Sequence, residues 1–563
     1  MLNQKRHTMS TWISSGELWI WMNAAAVGLS IAAVSGLLIL IAVRGLEQFW
    51  PTNVSRITLE DTSVHAVIGE FVKAEDLSVE QYRESSGDTD ISADQEFVTR
   101  WLIKTGNRRI NPPDFEWIFT HNITATDYPE EVVVIERTEW GNAYGFLTGI
   151  QENGVSIDAP KAVQWQEFLN RLDRADELRE QLHTIERGEF NRINYALERI
   201  RLDRKSLELD ASLSAENKAE SAKVLDAGAA ALQSDYLLAE AQLKLLADQL
   251  SRDQILVEFS SGTVATIPLQ EIVSAWRPNS MSLPEKFGHY FASVWSFLTE
   301  DPREANTEGG IFPAIFGTVM MVLLMSVLVT PLGVIAAVYL REYARQGPLV
   351  RLVRIAVNNL AGVPSIVYGV FGLGFFVYFI GGNLDQLFFQ EALPAPTFGT
   401  PGLLWASLTL ALLTVPVVVV STEEGLTRIP RSLREGSLAL GATKAETLFK
   451  VILPVASPSI LTGVILAIAR AAGEVAPLML VGVVKLAPTL PLDGNFPFLH
   501  LERKFMHLGF HIYDVGFQSP NVEAARPLVY STALLLVLII IVLNLTAIML
   551  RSRLENRYRG VES

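Results

Sequence analysis

The sequence predicts a mainly α membrane protein, a six-span helical bundle with a large α+β block inserted on one side of the membrane. Three observations carry this. Six long apolar runs punctuate the 563 residues. A block without any spanning run separates the first from the other five, and a coiled-coil-like apolar repeat lies inside that block. Charge follows the same division. The net charge is −15, while the residues outside 44–310 hold 20 Lys+Arg against 15 Asp+Glu, a net of +5, so the block carries −20. A hydrophobic content of 49% is too high for one soluble enzyme and too low for a chain wholly in lipid. Cysteine is absent, which removes disulfides and thiolate metal sites.

Lys5 and Arg6 precede the first apolar run, Leu18–Val43. Its 26 uncharged residues exceed the apolar core of about 7–15 residues in a signal peptide, so an uncleaved anchor with a cytosolic N-terminus is expected. Residues 44–310 are then expected on the far side of the membrane. Runs rich in β-branched residues at Val54–Leu59, Val132–Arg137, Gly145–Ile150, Ile255–Phe259 and Thr263–Ile267, the last two joined at Ser260-Ser-Gly262, predict a small β-rich domain.

A polar helical tract, about 161–252, interrupts those strands. Leu225, Ala229, Leu232, Tyr236, Ala239, Leu243, Leu246 and Leu250 follow alternating steps of four and three, a coiled-coil seam. The earlier arm runs Leu178, Leu182, Ile185, then Phe190, Ile193, Leu197, Ile200, Leu207, with a phase slip near Gly188. With a reversal at Leu209–Ser214, the tract reads as an independent antiparallel hairpin whose second arm extends ~55 Å at ~1.5 Å per residue.

The remaining spans are expected at about 311–340, 355–382, 402–420, 459–484 and 527–550. Basic residues set the orientation. Arg341, Arg345, Arg351 and Arg354 share one loop, five lie in 421–463, and Arg551, Arg553, Arg557 and Arg559 form the tail, whereas 383–401 has none, so both termini are expected in the cytosol. Pro331, Pro364, Pro416 and Pro477 are expected inside spans, where kinks suit a pathway better than a plain anchor.

Between two spans lies the polar stretch Ser421–Gly463. Pro430 opens a short helix that Gly441 stops in a left-handed conformation. Thr443 and Glu446 have capping-box spacing, and Ala445, Leu448, Phe449 and Ile452 make a helical stripe before Pro454 ends the run. Two short amphipathic helices, flanked by Arg431, Arg434, Lys444 and Lys450, form a cytosolic knob suited to a groove on another protein. An ordinary loop is the plainer reading. Glu435-Gly-Ser, Gly441 six residues on and Ile452-Leu-Pro454 resemble the EAA signature of ABC-importer permeases, with Gly436-Ser437 in place of the usual Ala-Ala. The resemblance implies docking on an ATPase through Glu435, Gly441, Ala442, Phe449, Ile452, Leu453 and Pro454.

Arg470 and Glu474 read as the only charged residues well inside a span, at i and i+4 on one helix face. Each is expensive alone in hydrocarbon, so they should face the interior and one another. A packing ion pair is the plainer reading; the functional one is a guanidinium fork for an oxyanion, held by Glu474 until substrate competes. His507 and His511 would share a face if 505–513 were helical, with Asp514 near; no third metal ligand is secured, and a surface helix is the expectation.

Asn306-Thr-Glu-Gly-Gly310, Gly317-Thr318, Pro331-Leu-Gly333, Tyr339-Leu-Arg-Glu342-Tyr343, Ala361-Gly-Val-Pro-Ser365-Ile-Val-Tyr-Gly369 and Ala467-Ile-Ala-Arg470-Ala-Ala-Gly-Glu474-Val-Ala-Pro-Leu478 resemble the PstA family of phosphate-importer permeases over about 300–550. That resemblance implies a type I ABC-importer permease fold in a bacterial inner membrane and import of inorganic phosphate. It also implies a PstC-type permease partner, a PstB-type ATPase dimer and a periplasmic phosphate-binding protein. Val475 departs from the usual Thr, and the family is silent on 44–310. No G-x-x-x-x-G-K-[ST] stretch occurs, so the chain is not expected to cradle ATP phosphates in the usual way; the resemblance implies a non-catalytic subunit without a cofactor of its own, ATP and Mg being bound by the partner ATPase. Membrane lipid is a partner and nucleic acid is not. The alternatives are another oxyanion such as sulfate or molybdate, or a membrane scaffold or sensor that recruits envelope partners through 44–310.

Overall fold

The computed structural model describes residues 17–60, 66–86, 96–109, 114–158, 160–260, 262–519 and 522–558; Lys5, Arg6, Ser261 and Arg559 lie outside them. Among the described residues, six helices are long and apolar enough to cross a membrane: Leu18–Glu47, Phe312–Tyr343, Ser365–Phe388, Leu403–Arg428, Lys444–Ala472 and Ala525–Asn556, here the first to sixth spans. The fourth is the hub. Leu403, Ala406, Leu410, Leu413 and Val418 pack between Met321, Met325 and Val329 of the second and Val464, Ala467 and Ala471 of the fifth. The first span is bare along most of its length and is tied near its end, where the Gly45 carbonyl accepts from Ser531 Oγ at 2.6 Å.

Two span boundaries differ from expectation, both at prolines. The third span starts at Ser365, with Pro364 as the residue before it, and a separate helix, Pro348–Leu360, precedes the break. The fifth span begins in the polar knob and runs through Pro454 and Pro458 to Ala472, leaving Pro477 in a turn. Proline fixes φ at a helical value and removes one N–H; the wide π-turn at Leu448–Ile452 accommodates that loss, so the helix continues. Pro331 and Pro416 do lie inside helices. The longer third span also takes in the buried Asp385, so Arg470 and Glu474 are not the only charged residues inside a span; its carboxylate accepts from the N–H groups of Phe398 and Gly399 at 2.9 and 2.6 Å.

The far-side block holds two antiparallel sheets. With β1 Ser55–Leu59, β2 Val67–Ser78, β3 Phe97–Lys104, β4 Phe115–Phe119 and β5 Ile123–Asp127, the first has order β4-β3-β2-β1-β5. With β6 Val132–Arg137, β7 Ala143–Glu152, β8 Val155–Ser156, β9 Asp253–Glu258, β10 Val264–Pro268 and β11 Ile272–Trp276, the second has order β10-β9-β7-β6-β11, β8 pairing with β7. Charged residues on the open face of β2 and β3 and a register shift at Phe71/Lys73 blur the alternation that would have announced those strands.

The hairpin consists of Lys161–Thr184, a π-turn at Ile185–Phe190, Asn191–Leu209 and the return helix Ala215–Leu250. The π-turn is the phase slip near Gly188: one extra residue per turn re-aims the stripe. The hairpin is not independent of the sheet. Phe168, Leu172, Ala175 and Leu178, with Leu250, bury Val133, Ile135, Ile255 and Val257, covering one apolar face of the second sheet, while Val132, Val134 and Tyr144 on the other pack against Val54 and Ile68. Further out, Tyr195 Oη donates to the Phe496 carbonyl and its ring meets His500 edge-on at 6.0 Å, so the arm rests on a loop of the bundle. Removing 161–252 is therefore expected to unfold the second sheet, whereas trimming the tip between 201 and 227 with a short Gly/Ser bridge leaves it folded. The readout is thermal unfolding of the purified chain followed by circular dichroism.

A short connector joins block and bundle. Its ribbon pairs β12, Pro302–Arg303, with β13, Glu308–Gly309. Glu304 bonds Arg108, Arg303 bonds Glu136, and Asn306 Nδ2 reaches the Lys485 carbonyl at 2.7 Å. Burial pushes the Glu308 carboxyl up to about 7, against the pull of Lys104 and with Glu304 and Glu136 adding to it. The folded state thus keeps a proton that the unfolded chain releases near the ordinary carboxyl value. Its contribution is complete below that value and is lost as pH rises through about 7. Glu308→Gln should accordingly raise the melting temperature more at pH 8 than at pH 5.

Candidate functional site

The fifth span ends inside the protein. Ala471 and Ala472 are fully buried, and Gly473 closes the helix with its N–H on the Ala471 carbonyl. Irregular backbone in hydrocarbon is tolerated where protein covers it or water lines it, and here the surrounding bundle covers the helix end. Arg470 stands in the last turn, where helix carbonyls favour a cation.

Glu474 lies past the helix end, its N–H on the Ala471 carbonyl at 3.2 Å. The pair expected on one helical face is thus made across a turn. Arg470 Nε and Glu474 Oε1 are 3.7 Å apart, an ion pair beyond hydrogen-bond distance, with the two side chains 31% and 22% exposed. The guanidinium is held in place yet keeps its donors open to a small acceptor. Tyr368 of the third span lies in the field of Arg470, its hydroxyl donating to the Leu360 carbonyl at 2.7 Å. Gly369 faces Pro477 so closely that a Cβ would meet Pro477 Cα at 2.7 Å, which brings the Ala361–Gly369 motif against the turn after Glu474.

The segment between the fifth and sixth spans supplies the far wall. A Cβ on Gly317 would stand 2.1 Å from the Met506 carbonyl, so only glycine admits this strand, and Thr318 Oγ1 accepts the Leu508 N–H at 2.9 Å. The helix Leu508–Phe517 is not the plain surface helix expected: these contacts bury Leu508, His511, Asp514 and Val515 against the bundle, while Tyr513 and Phe517 stay exposed. His507 is its N-cap in extended backbone and so does not share a helical face with His511. Burial pushes His507 down to about 3 and His511 down to about 4. His507 Nδ1 accepts from Gly509, Asp514 pairs with Lys485 at 3.1 Å, and no metal-binding group of three is found among the described residues. Lys485 was not singled out in the sequence, and Asp514 was named only beside the two histidines, since the pairing of Lys485 with Asp514 depends on this tertiary packing.

The knob is built as its caps require. Arg431–Ala439 ends before Gly441 at φ +88°, and Thr443 and Glu446 exchange capping bonds at 3.2 and 3.0 Å. Its apolar stripe divides. Leu448 and Ile452 turn inward onto Val338, Leu426 and Ile429, while Phe449 is 69% and Leu440 91% exposed. Leu453 and Pro454 begin the helix that enters the bundle; Glu435 and Gly441 are exposed and Ala442 half-buried. Two flanking cations also turn in. Arg434 bonds Glu342 at 2.8 Å, and Lys444 donates to the Glu342 carbonyl at 2.6 Å and covers the Tyr343 ring. Beneath them is a pocket of about 280 Å³ lined by Tyr343, Leu438 and Thr447 among others.

Residues 329–560 match the family described as binding-protein-dependent transport system inner membrane component. The chain is 35% identical over 244 residues to the phosphate transport system permease protein PstA of Mycobacterium leprae, covering 43% of this chain and 73% of that protein. It is 34% identical over 305 residues to PstA 1 of Mycobacterium tuberculosis, covering 54% and 87%, and 34% identical over 256 residues to PstA of Yersinia pestis, covering 45% and 76%. Among solved structures, a chain of the MetNI methionine ABC transporter in an inward-facing conformation is similar at 19% identity with a TM-score of 0.31, covering 49% of this chain and 99% of that one.

Nothing lies within 4 Å of a Cβ on Gly441, so its requirement is torsional rather than steric. Gly441→Val should cost on the order of 1 kcal/mol and swing the second helix, whereas Gly441→Asn, which tolerates positive φ, should cost less. Limited trypsin digestion of the detergent-solubilised chain reads this as faster cleavage at Arg431, Lys444 and Lys450 in the Val variant alone.

Proposed function

The chain belongs to the PstA family of phosphate transport permeases, and from that membership we propose how it forms half of a translocation pathway and couples it to ATP hydrolysis. It is a multi-pass inner-membrane permease subunit of a phosphate ABC importer. The second permease is a PstC-type subunit, hydrolysis belongs to a PstB-type ATPase dimer that binds ATP and Mg, and phosphate arrives on a periplasmic binding protein. Both termini lie in the cytosol and residues 44–310 in the periplasm.

The observation that carries the pathway reading is Arg470, a partly exposed guanidinium at a broken helix end whose ion-pair partner Glu474 stands at 3.7 Å. Inorganic phosphate is a compact anion with several acceptor oxygens. A planar fork of donors matches two of them at once, and a carboxylate held just outside hydrogen-bond distance keeps the fork aimed without filling it. Electrostatic attraction draws the anion into a site where water is scarce, and Glu474 limits how tightly it stays. Such balance suits passage, which needs entry and release alike.

Coupling falls to the knob, with its residues in two roles. Glu435, Gly441, Ala442 and Phe449 present a surface to the ATPase. Ile452, Leu453 and Pro454 join that surface to the fifth span, at whose other end Arg470 stands. A push on the knob is thereby transmitted along one continuous helix to the site.

The test is phosphate uptake by the complete transporter in proteoliposomes. Arg470→Gln keeps polar reach but loses charge and fork, and should lower uptake on the order of 10- to 100-fold, the weight of one charge-assisted hydrogen bond, with subunit assembly intact. Adding Glu474→Gln separates the causes. If the double variant recovers uptake, the pair serves packing and the reading fails; if uptake stays low in an assembled complex, the cation is needed for passage.

A further inference from the structure

We propose that the helix Leu283–Thr299 is a membrane-interface anchor, its apolar face seated at the boundary between headgroups and acyl chains of the outer leaflet. It fixes the height at which the far-side block stands above the bilayer. This goes beyond the transport reading and rests only on the chain spanning the membrane.

Leu283, Phe287, Phe291 and Trp295 recur every four residues, which places them on one side of the helix. Each is between 52% and 69% exposed, a stripe of large apolar side chains that a water-facing helix would not keep. The other side is occupied. Lys286 Nζ donates to Asn53 at 2.6 Å, the His289 ring lies 4.5 Å from Trp276 of β11, and Phe297 is buried on Ile311, Ala314 and Leu528. The helix therefore faces outward by construction.

Its depth follows from its neighbours. Phe297 meets Phe49 at 5.2 Å just past the first span, Ile311 immediately precedes the second, and Leu528 stands near the start of the sixth. Three spans end or begin beside one helix, which puts it at the level where the hydrocarbon stops. Trp50 touches Phe287 edge-on at 5.2 Å, so the stripe continues the bare apolar surface of the first span through Leu46 and Val43. Amphipathic helices rich in aromatic residues are stable at that level, where rings sit among headgroups and apolar surface leaves water. Continuity with the lipid-facing surface and this composition select lipid as the occupant over a protein groove.

The chain has no cysteine, so an introduced thiol is unique within it. Phe287→Cys and Phe291→Cys, each carrying an environment-sensitive fluorophore, are studied in the complete transporter in phosphatidylcholine–phosphatidylglycerol nanodiscs. Ala292→Cys, off the stripe, and Ile31→Cys, in the first span, are references. Labels at 287 and 291 should lose emission to lipid spin-labelled near the carbonyl region and be spared by aqueous iodide, with the reverse at 292. Quenching by iodide alone at 287 and 291 overturns the proposal. So does protection from both quenchers with cross-linking to another subunit, which would make the cover protein. Failure of the Ile31 label to respond to deep lipid quenchers would instead refute the spanning of the membrane itself.

Discussion

Backbone polar groups cannot be left bare in hydrocarbon, and the architecture around the site answers to that one requirement. A helix ending at Ala472 leaves carbonyls facing the bundle interior, with neither lipid nor bulk water to donate to them. A cation in the last turn, a turn folded back on Ala471 and a wall formed by 482–517 together make the broken end tolerable. Arg470 is thus doubly placed: it complements the helix terminus, and it keeps donors free because the complement is electrostatic rather than hydrogen-bonded.

The knob shows the same economy at the other end of that helix. Were Leu448 and Ile452 exposed along with Phe449 and Leu440, the surface would be stickier but would lack a fixed orientation. Burying half the stripe on Val338, Leu426 and Ile429, and clamping Arg434 and Lys444 on Glu342, gives up contact area for rigidity. A rigid presenting surface loses less conformational entropy on docking, and it passes force onward instead of absorbing it.

What the sequence made legible were features with strong local signals. Six apolar lengths, the Thr443–Glu446 cap, the left-handed Gly441 and the reversal at 209–214 all depend on near neighbours. The partnership of Arg470 and Glu474 was readable from the cost of a lone charge, but its geometry across a turn was not. Prolines were misread because Pro364 and Pro454 have the same φ at a helix start and within a helix. Only the carbonyl preceding them, paired or free, tells the cases apart. Strands β2 and β3 escaped because charged residues interrupt their alternation. The helix Leu283–Thr299 escaped although the Ser282–Glu285 cap and the spacing of Leu283, Phe287, Phe291 and Trp295 were both present. The buried stretch at 505–508 has no such signature, since its burial is imposed by Gly317 and Thr318 in a distant helix.

The contact of Tyr195 with the loop at Phe496 and His500 turns the helical hairpin into a pointer. From Tyr195 to the tip at Asp210 the arm runs for ~22 Å at ~1.5 Å per residue, with its root fixed in the second sheet and its pivot resting on the bundle. Geometry then magnifies: a tilt of about 6° at that pivot carries the tip ~2 Å. Small rearrangements at the bundle loop under Tyr195 are displayed, enlarged, at the tip of the hairpin.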